Sequence, residues 1–118
     1  MFREYKLVES TLDMLRTMYM VGGVNDIHTI VKFAKDRLGR DISVDYVNRT
    51  FRKLSKMDIL HGHQTGYTFA KDPSEIKMGK IMRLFAVSTE DQSLFNLEQM
   101  IFKSLDNISL KEYLDNAY

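Results

Sequence analysis

The sequence predicts a mainly α-helical domain: three helices, a two-stranded hairpin, and further helices after it. Three observations carry that prediction. Apolar residues recur at helical spacing through three early segments, the pattern changes to period two after Asp58, and Pro73 closes that stretch before helical spacing returns. A chain of 118 residues with 44% hydrophobic content is the size of one domain with a single core.

From Tyr5 to Val21, the residues Val8, Leu12, Leu15 and Tyr19 fall on one helical stripe, and Gly22-Gly23 supplies the stop. Asn25 or Asp26 is placed to cap a second helix with core positions Ile27, Ile30, Val31, Ala34 and Leu38, closed by Gly39. Ser43 is the expected N-cap of a third helix, with Val44, Val47, Phe51 and Leu54 facing inward.

After Asp58, the residues Ile59, His61 and His63 alternate against Leu60. Gln64-Thr65-Gly66 reads as a turn and Tyr67 to Ala70 as the returning strand. Asp72-Pro73 ends it, because proline cannot donate to a strand ladder. A short fourth helix is expected from about Met78 to Val87. Thr89 then opens a long helix, Glu90 to Asp106, in which Leu94, Leu97, Ile101 and Leu105 form one stripe and Phe95 and Phe102 a second. Ser109 caps a last helix, Leu110 to Asn116.

Charge is distributed unevenly. Net charge is +1, but residues 1–72 sum to +3 and residues 73–118 to −2. Ser43 to Lys56 holds Arg49, Arg52, Lys53 and Lys56 against Asp45 alone. Their spacing of i, i+3, i+4 and i+7 sets four cations along one side of the third helix. Three helices and then a hairpin is the order of a winged helix-turn-helix, in which the third helix enters the major groove and the hairpin is the wing. A basic outer face on that helix gains affinity from each phosphate it neutralises.

Several classes are excluded or left without support. Cysteine is absent, which removes disulfides, thiolate-held metals and a cysteine nucleophile. No Ser-His-acid set, phosphate loop or metal cage is recognisable, so no enzyme is expected. The opening MFREYKL carries charges where a signal peptide needs an apolar run, and no apolar stretch is long enough to span a bilayer. A cytoplasmic protein with no membrane partner is the expectation.

The stretch "ISVDYVNRTFRKLSKMDILHGHQTGYTFAKDPSEIKMGKIM" carries Ile42-Ser43, Tyr46, Leu54, Gly62, then Gly66-Tyr67-Thr68-Phe69-Ala70 and Pro73-Ser74-Glu75-Ile76. In these residues the chain resembles a family of bacterial winged-helix transcription regulators. That family includes the iron-sulfur cluster regulator, the nitric-oxide-sensing repressor and the cysteine-metabolism repressor. The resemblance covers roughly residues 42–85 and implies a dimeric regulator whose long late helix forms the dimer. Redox-sensing members of the family hold an iron-sulfur cluster mainly through three cysteines between the fourth and fifth helices. Here Ala86 to Ser93 has none, so no cofactor is carried over. Gln64-Thr65 also stands where the family's wing has more glycine.

The reading is therefore a homodimer on a pseudo-palindromic stretch of double-stranded DNA. Residues 1–76 are its DNA-binding region, and residues 77–118 are a helical dimerisation region packed on the same domain. Ser43, Tyr46, Lys53 and Lys56 are candidate phosphate contacts, joined by the wing residues His61, His63, Gln64 and Thr65. Asp45, Asn48, Arg49 and Arg52 are candidates for base edges, Asp45 toward cytosine N4. Phe95 and Phe102 are expected to lie at the dimer interface. His61 and His63 have the spacing of two metal ligands but lack a third, and Tyr67 suits the core as well as a phosphate. Met14, Met18, Met20, Met78, Met82 and Met100 suit core filling or the lining of a small-molecule effector pocket. The rival class is a winged-helix module that binds protein, its basic face merely solvated.

Overall fold

The computed structural model describes residues 5–86 and 91–116, which fall into two compact units, Lys6–Ala70 and a second from Lys71 onward. The expected end of the fourth helix at Val87 and the expected opening of the fifth at Thr89 and Glu90 lie outside the described residues.

The first unit contains α1 (Tyr5–Val21), α2 (Ile27–Leu38), α3 (Val44–Lys56), β1 (Leu60–His63) and β2 (Gly66–Phe69). α1 is buried more widely than one stripe. Met14 and Met18 join Val8, Leu12 and Leu15 inside, with Thr11, Asp13 and Thr17, while Tyr19 is half-buried. The buried Asp13 carboxylate meets Arg40 Nε at 2.8 Å, and Arg40 also pairs with Glu9, so the charge is not left uncompensated.

α2 starts at Asp26, whose side chain accepts from the Thr29 amide, and ends at Gly39 in the left-handed region that glycine tolerates. α3 starts at Ser43, whose Oγ accepts from the Tyr46 amide at 3.1 Å. It buries Val47, Thr50, Phe51 and Leu54, and each large apolar side chain there contributes roughly 1.5–3 kcal/mol. Val44, expected inside, is exposed: it is the first residue of the helix, beyond the reach of the packed turn.

β1 and β2 pair antiparallel in the register Leu60 to Phe69 and His63 to Gly66, leaving Gln64-Thr65 as a two-residue turn. Ile59 and Leu60 are both buried and His61, Gly62 and His63 are all exposed, so the expected alternation gives way to a buried base and an exposed tip. The hairpin is tied to the α1–α2 turn by two backbone hydrogen bonds: Asn25 N donates to Tyr67 O at 2.9 Å, and Tyr67 N donates to Asn25 O at 2.8 Å. This approach requires Gly66, because a Cβ there would collide with the Asn25 carbonyl and the Asp26 amide. The half-buried Tyr67 ring meets Phe51 edge-on at 5.1 Å.

In the second unit a 3-10 turn, Pro73–Glu75, leads to α4 (Met78–Met82), a 3-10 turn Arg83–Phe85, α5 (Gln92–Leu105) and α6 (Leu110–Asn116). α4 is shorter than expected, tightening to 3-10 at Arg83 and becoming extended at Ala86. Gly79 lies against the Phe102 carbonyl and the Asp106 carboxylate, a contact that excludes a Cβ. Arg83 clasps both Asp106 oxygens at 2.9 Å and stacks over the Phe102 ring at 5.4 Å.

α5 corrects the expected stripes. Phe102, placed at a dimer interface from sequence, is 1% exposed beneath Arg83, and Glu98 one turn earlier is buried with it. Leu94, Phe95, Leu97 and Met100 are exposed instead, at 49%, 45%, 45% and 67%. Leu94 and Leu97, placed on one stripe with Ile101 and Leu105, are thus at the surface, as is Phe95. Of the methionines considered for an effector pocket, Met14, Met18, Met78 and Met82 are buried, and Met20 and Met100 are exposed.

Candidate nucleic-acid interface

The outer side of α3 gathers the charged residues that its sequence spacing predicts. Arg49, Arg52, Lys53 and Lys56 are all exposed, and Val47, Thr50, Phe51 and Leu54 hold the opposite side in the core. A helix anchored this way presents its cations from a fixed backbone, so the spacing between them is set before any partner arrives. Asp45 forms an i,i+4 ion pair with Arg49, Oδ2 to Nε at 3.2 Å. The expected cytosine contact by Asp45 therefore competes with this pair.

Ser43 spends its Oγ on capping α3. Tyr46 is half-buried, its hydroxyl 3.0 Å from Thr11 Oγ1, so it links α1 to the start of α3.

The wing brings four exposed polar side chains beside α3: His61, His63, Gln64 and Thr65. The two imidazoles meet edge to face at 4.8 Å, and His63 Nε2 is 2.9 Å from Thr68 Oγ1. Among the described residues no group of three or more His, Asp or Glu side chains is placed to hold a metal ion. Nor is there a donor set for a thiolate-held cluster, since the chain has no cysteine and all three histidines lie in the first unit.

Between the wing tip and the first turns of α3 runs an open groove of about 410 Å³. Val44 and Asn48 line it from α3, His63, Gln64 and Thr65 from the wing, and Asp26 and His28 from the start of α2. Sequence reasoning missed three of these. Val44 was expected in the core, Asp26 was read only as a cap, and His28 was assigned no role. The signal for Val44 was its position one residue past the Ser43 cap. Hydrogen bonds from the Thr29 amide and hydroxyl hold the Asp26 carboxyl below its ordinary pKa, so this edge of the groove is anionic at neutral pH. Arg49, Arg52, Lys53 and Lys56 lie outside the groove, farther along α3.

Among the described residues no helix is long and apolar enough to cross a membrane. No protein-family profile matches the chain, and no curated protein matches it. Solved structures do. IscR of T. potens shares 25% identity, with a TM-score of 0.64 over 100% of this chain and 89% of that one. CymR, the global cysteine regulator of B. subtilis, shares 16% identity, with a TM-score of 0.61 over 93% of this chain and 91% of its own. A candidate transcriptional regulator from Listeria innocua shares 20% identity, with a TM-score of 0.66 over 99% and 89%. The chain has the winged-helix fold of these proteins and is similar along its length to winged-helix transcription regulators of the Rrf2 family.

Proposed function

We propose that the protein is a cytoplasmic, non-catalytic transcription regulator that binds a pseudo-palindromic operator as a homodimer. In this reading α3 lies in the major groove and the wing runs alongside it. The observation that carries the reading is the exposed line Arg49, Arg52, Lys53 and Lys56 on a helix whose other side is fixed in the core, immediately before a hairpin. The regulators among its structural neighbours support DNA as the partner. Lys53 and Lys56 serve as phosphate contacts and Arg49 as a base reader, with Arg52 beside it.

The homodimer is supported by the exposed large apolar residues Leu94, Phe95, Leu97 and Met100 on α5, since a concentration of such residues usually marks an interface. Pairing by a two-fold axis sets two copies of α3 roughly 34 Å apart, one turn of duplex. Selection of bound duplexes from a random pool tests the function directly. Enrichment of a motif with two-fold symmetry is expected. Failure to enrich any sequence, with weak salt-insensitive binding, favours the protein-binding alternative.

A further inference from the structure

We infer that the first turns of α3 read an A·T pair through Val44 and Asn48, next to a G·C pair read by Arg49. This rests on the DNA-binding reading above and specifies what that site recognises. Val44 is the first residue of α3 and 40% exposed, a branched apolar side chain that lines the groove together with Ile27, Tyr67 and several polar residues. The C5-methyl of thymine is the apolar group that unmodified base pairs present in the major groove. Asn48 stands one helical turn further on and lines the same groove. Its amide donates and accepts, the pattern that matches adenine N6 and N7. Val44 and Asn48 together therefore suit the methyl and the adenine edge of A·T pairs at one place in the site.

Arg49 is next to Asn48 in sequence and carries the neighbouring reading. Asp45 engages Arg49 at Nε, so the terminal nitrogens point to the outer end of the fork, the pair that matches guanine O6 and N7. Asp45 is thus a positioning residue for Arg49. The charge of the groove agrees. The anionic Asp26 on its edge repels a phosphate, while the uncharged wing-tip residues Gln64 and Thr65 leave room for base edges.

The experiment uses the full chain. Bound duplexes are selected from a random pool with wild type, Val44→Ala and Asn48→Ala, and the wild-type winner is then remade with uracil in place of each thymine in turn. The expected wild-type motif has adjacent A·T and G·C pairs in each half-site. One thymine-to-uracil change weakens wild-type binding about fourfold, the worth of one buried methyl, and leaves Val44→Ala unaffected. Asn48→Ala relaxes the adenine preference by about tenfold or more without changing affinity for unrelated duplex. A wild-type motif that survives both substitutions, or equal binding of every uracil duplex, overturns the inference while DNA binding stands. Absence of any wild-type motif overturns the DNA reading and this inference with it. The uracil series on wild type needs no variant to fold.

Discussion

α3 and α5 are built alike and face solvent in opposite ways. They have 13 and 14 residues, and each begins at a side-chain oxygen, Ser43 Oγ or Asp91 Oδ1, that accepts from first-turn amides. Each holds a phenylalanine, Phe51 or Phe102, fully inside. The exposed side of α3 includes Arg49, Arg52, Lys53 and Lys56, and that of α5 includes Leu94, Phe95, Leu97 and Met100 among polar residues such as Asn96 and Gln99. A cationic face gains by meeting a polyanion, and an apolar face gains by meeting another apolar face. In the proposed function the same local design serves two different partners, and the residues left outside choose between them.

The largest expected effect breaks the α5 side of the comparison. Leu94→Asp with Leu97→Asp should give a folded monomer by light scattering, with unchanged helical circular dichroism because both residues are exposed. Operator affinity should fall at least about 100-fold, since two half-sites are no longer held by one particle. A wild type that is monomeric at tens of micromolar would falsify the pairing.

Next in size is Gly66→Ala. The added Cβ has no room against Asn25, so the wing loses its tie to the α1–α2 turn, at a cost of roughly 1–3 kcal/mol seen as a lower denaturation midpoint. Unchanged stability would mean that the hairpin is held elsewhere.

How much of this was legible in the sequence differs between the two helices. Ser43, the alternating Val47, Phe51 and Leu54, and the shift to period two after Asp58 each named one structure, and α3 and the wing follow them. Val44 escaped because spacing alone does not say that the first turn lies outside the packed contact. In α5, apolar residues at 94, 95, 97, 100, 101, 102 and 105 circle most of the helix, so spacing selects no single arc. The arc is chosen by tertiary contacts, the Arg83 guanidinium over Phe102 and the Asp106 clasp, whose partners lie about twenty residues apart. The burial of Glu98 breaks the pattern outright, and no periodicity argument finds it.

A smaller effect sharpens the α3 side. Lys53→Ala with Lys56→Ala should weaken every duplex about equally and flatten the salt slope by roughly one unit per lost contact. Lys103→Ala on α5 should leave the slope unchanged. Equal effects from both helices would deny α3 its special role.

The smallest expected effect lies in the second unit. The Arg83 hydrogen bonds hold the Asp106 carboxyl below its ordinary value, so this pair's stabilisation is complete above about pH 4 and is lost as pH falls through the folded value. Asp106→Asn should cost under about 1 kcal/mol at pH 7, since the pair is partly exposed. In chemical denaturation the gap from wild type should close at low pH. A gap of equal size at both pH values would assign the effect to packing.

The salt dependence of wild-type binding to a selected duplex tests the central claim most directly. With Lys53 and Lys56 of two protomers on phosphates, log affinity against log salt should fall with a slope of roughly −4, measured from about 50 to about 200 mM. A slope near zero would contradict the account and return the basic face of α3 to plain solvent.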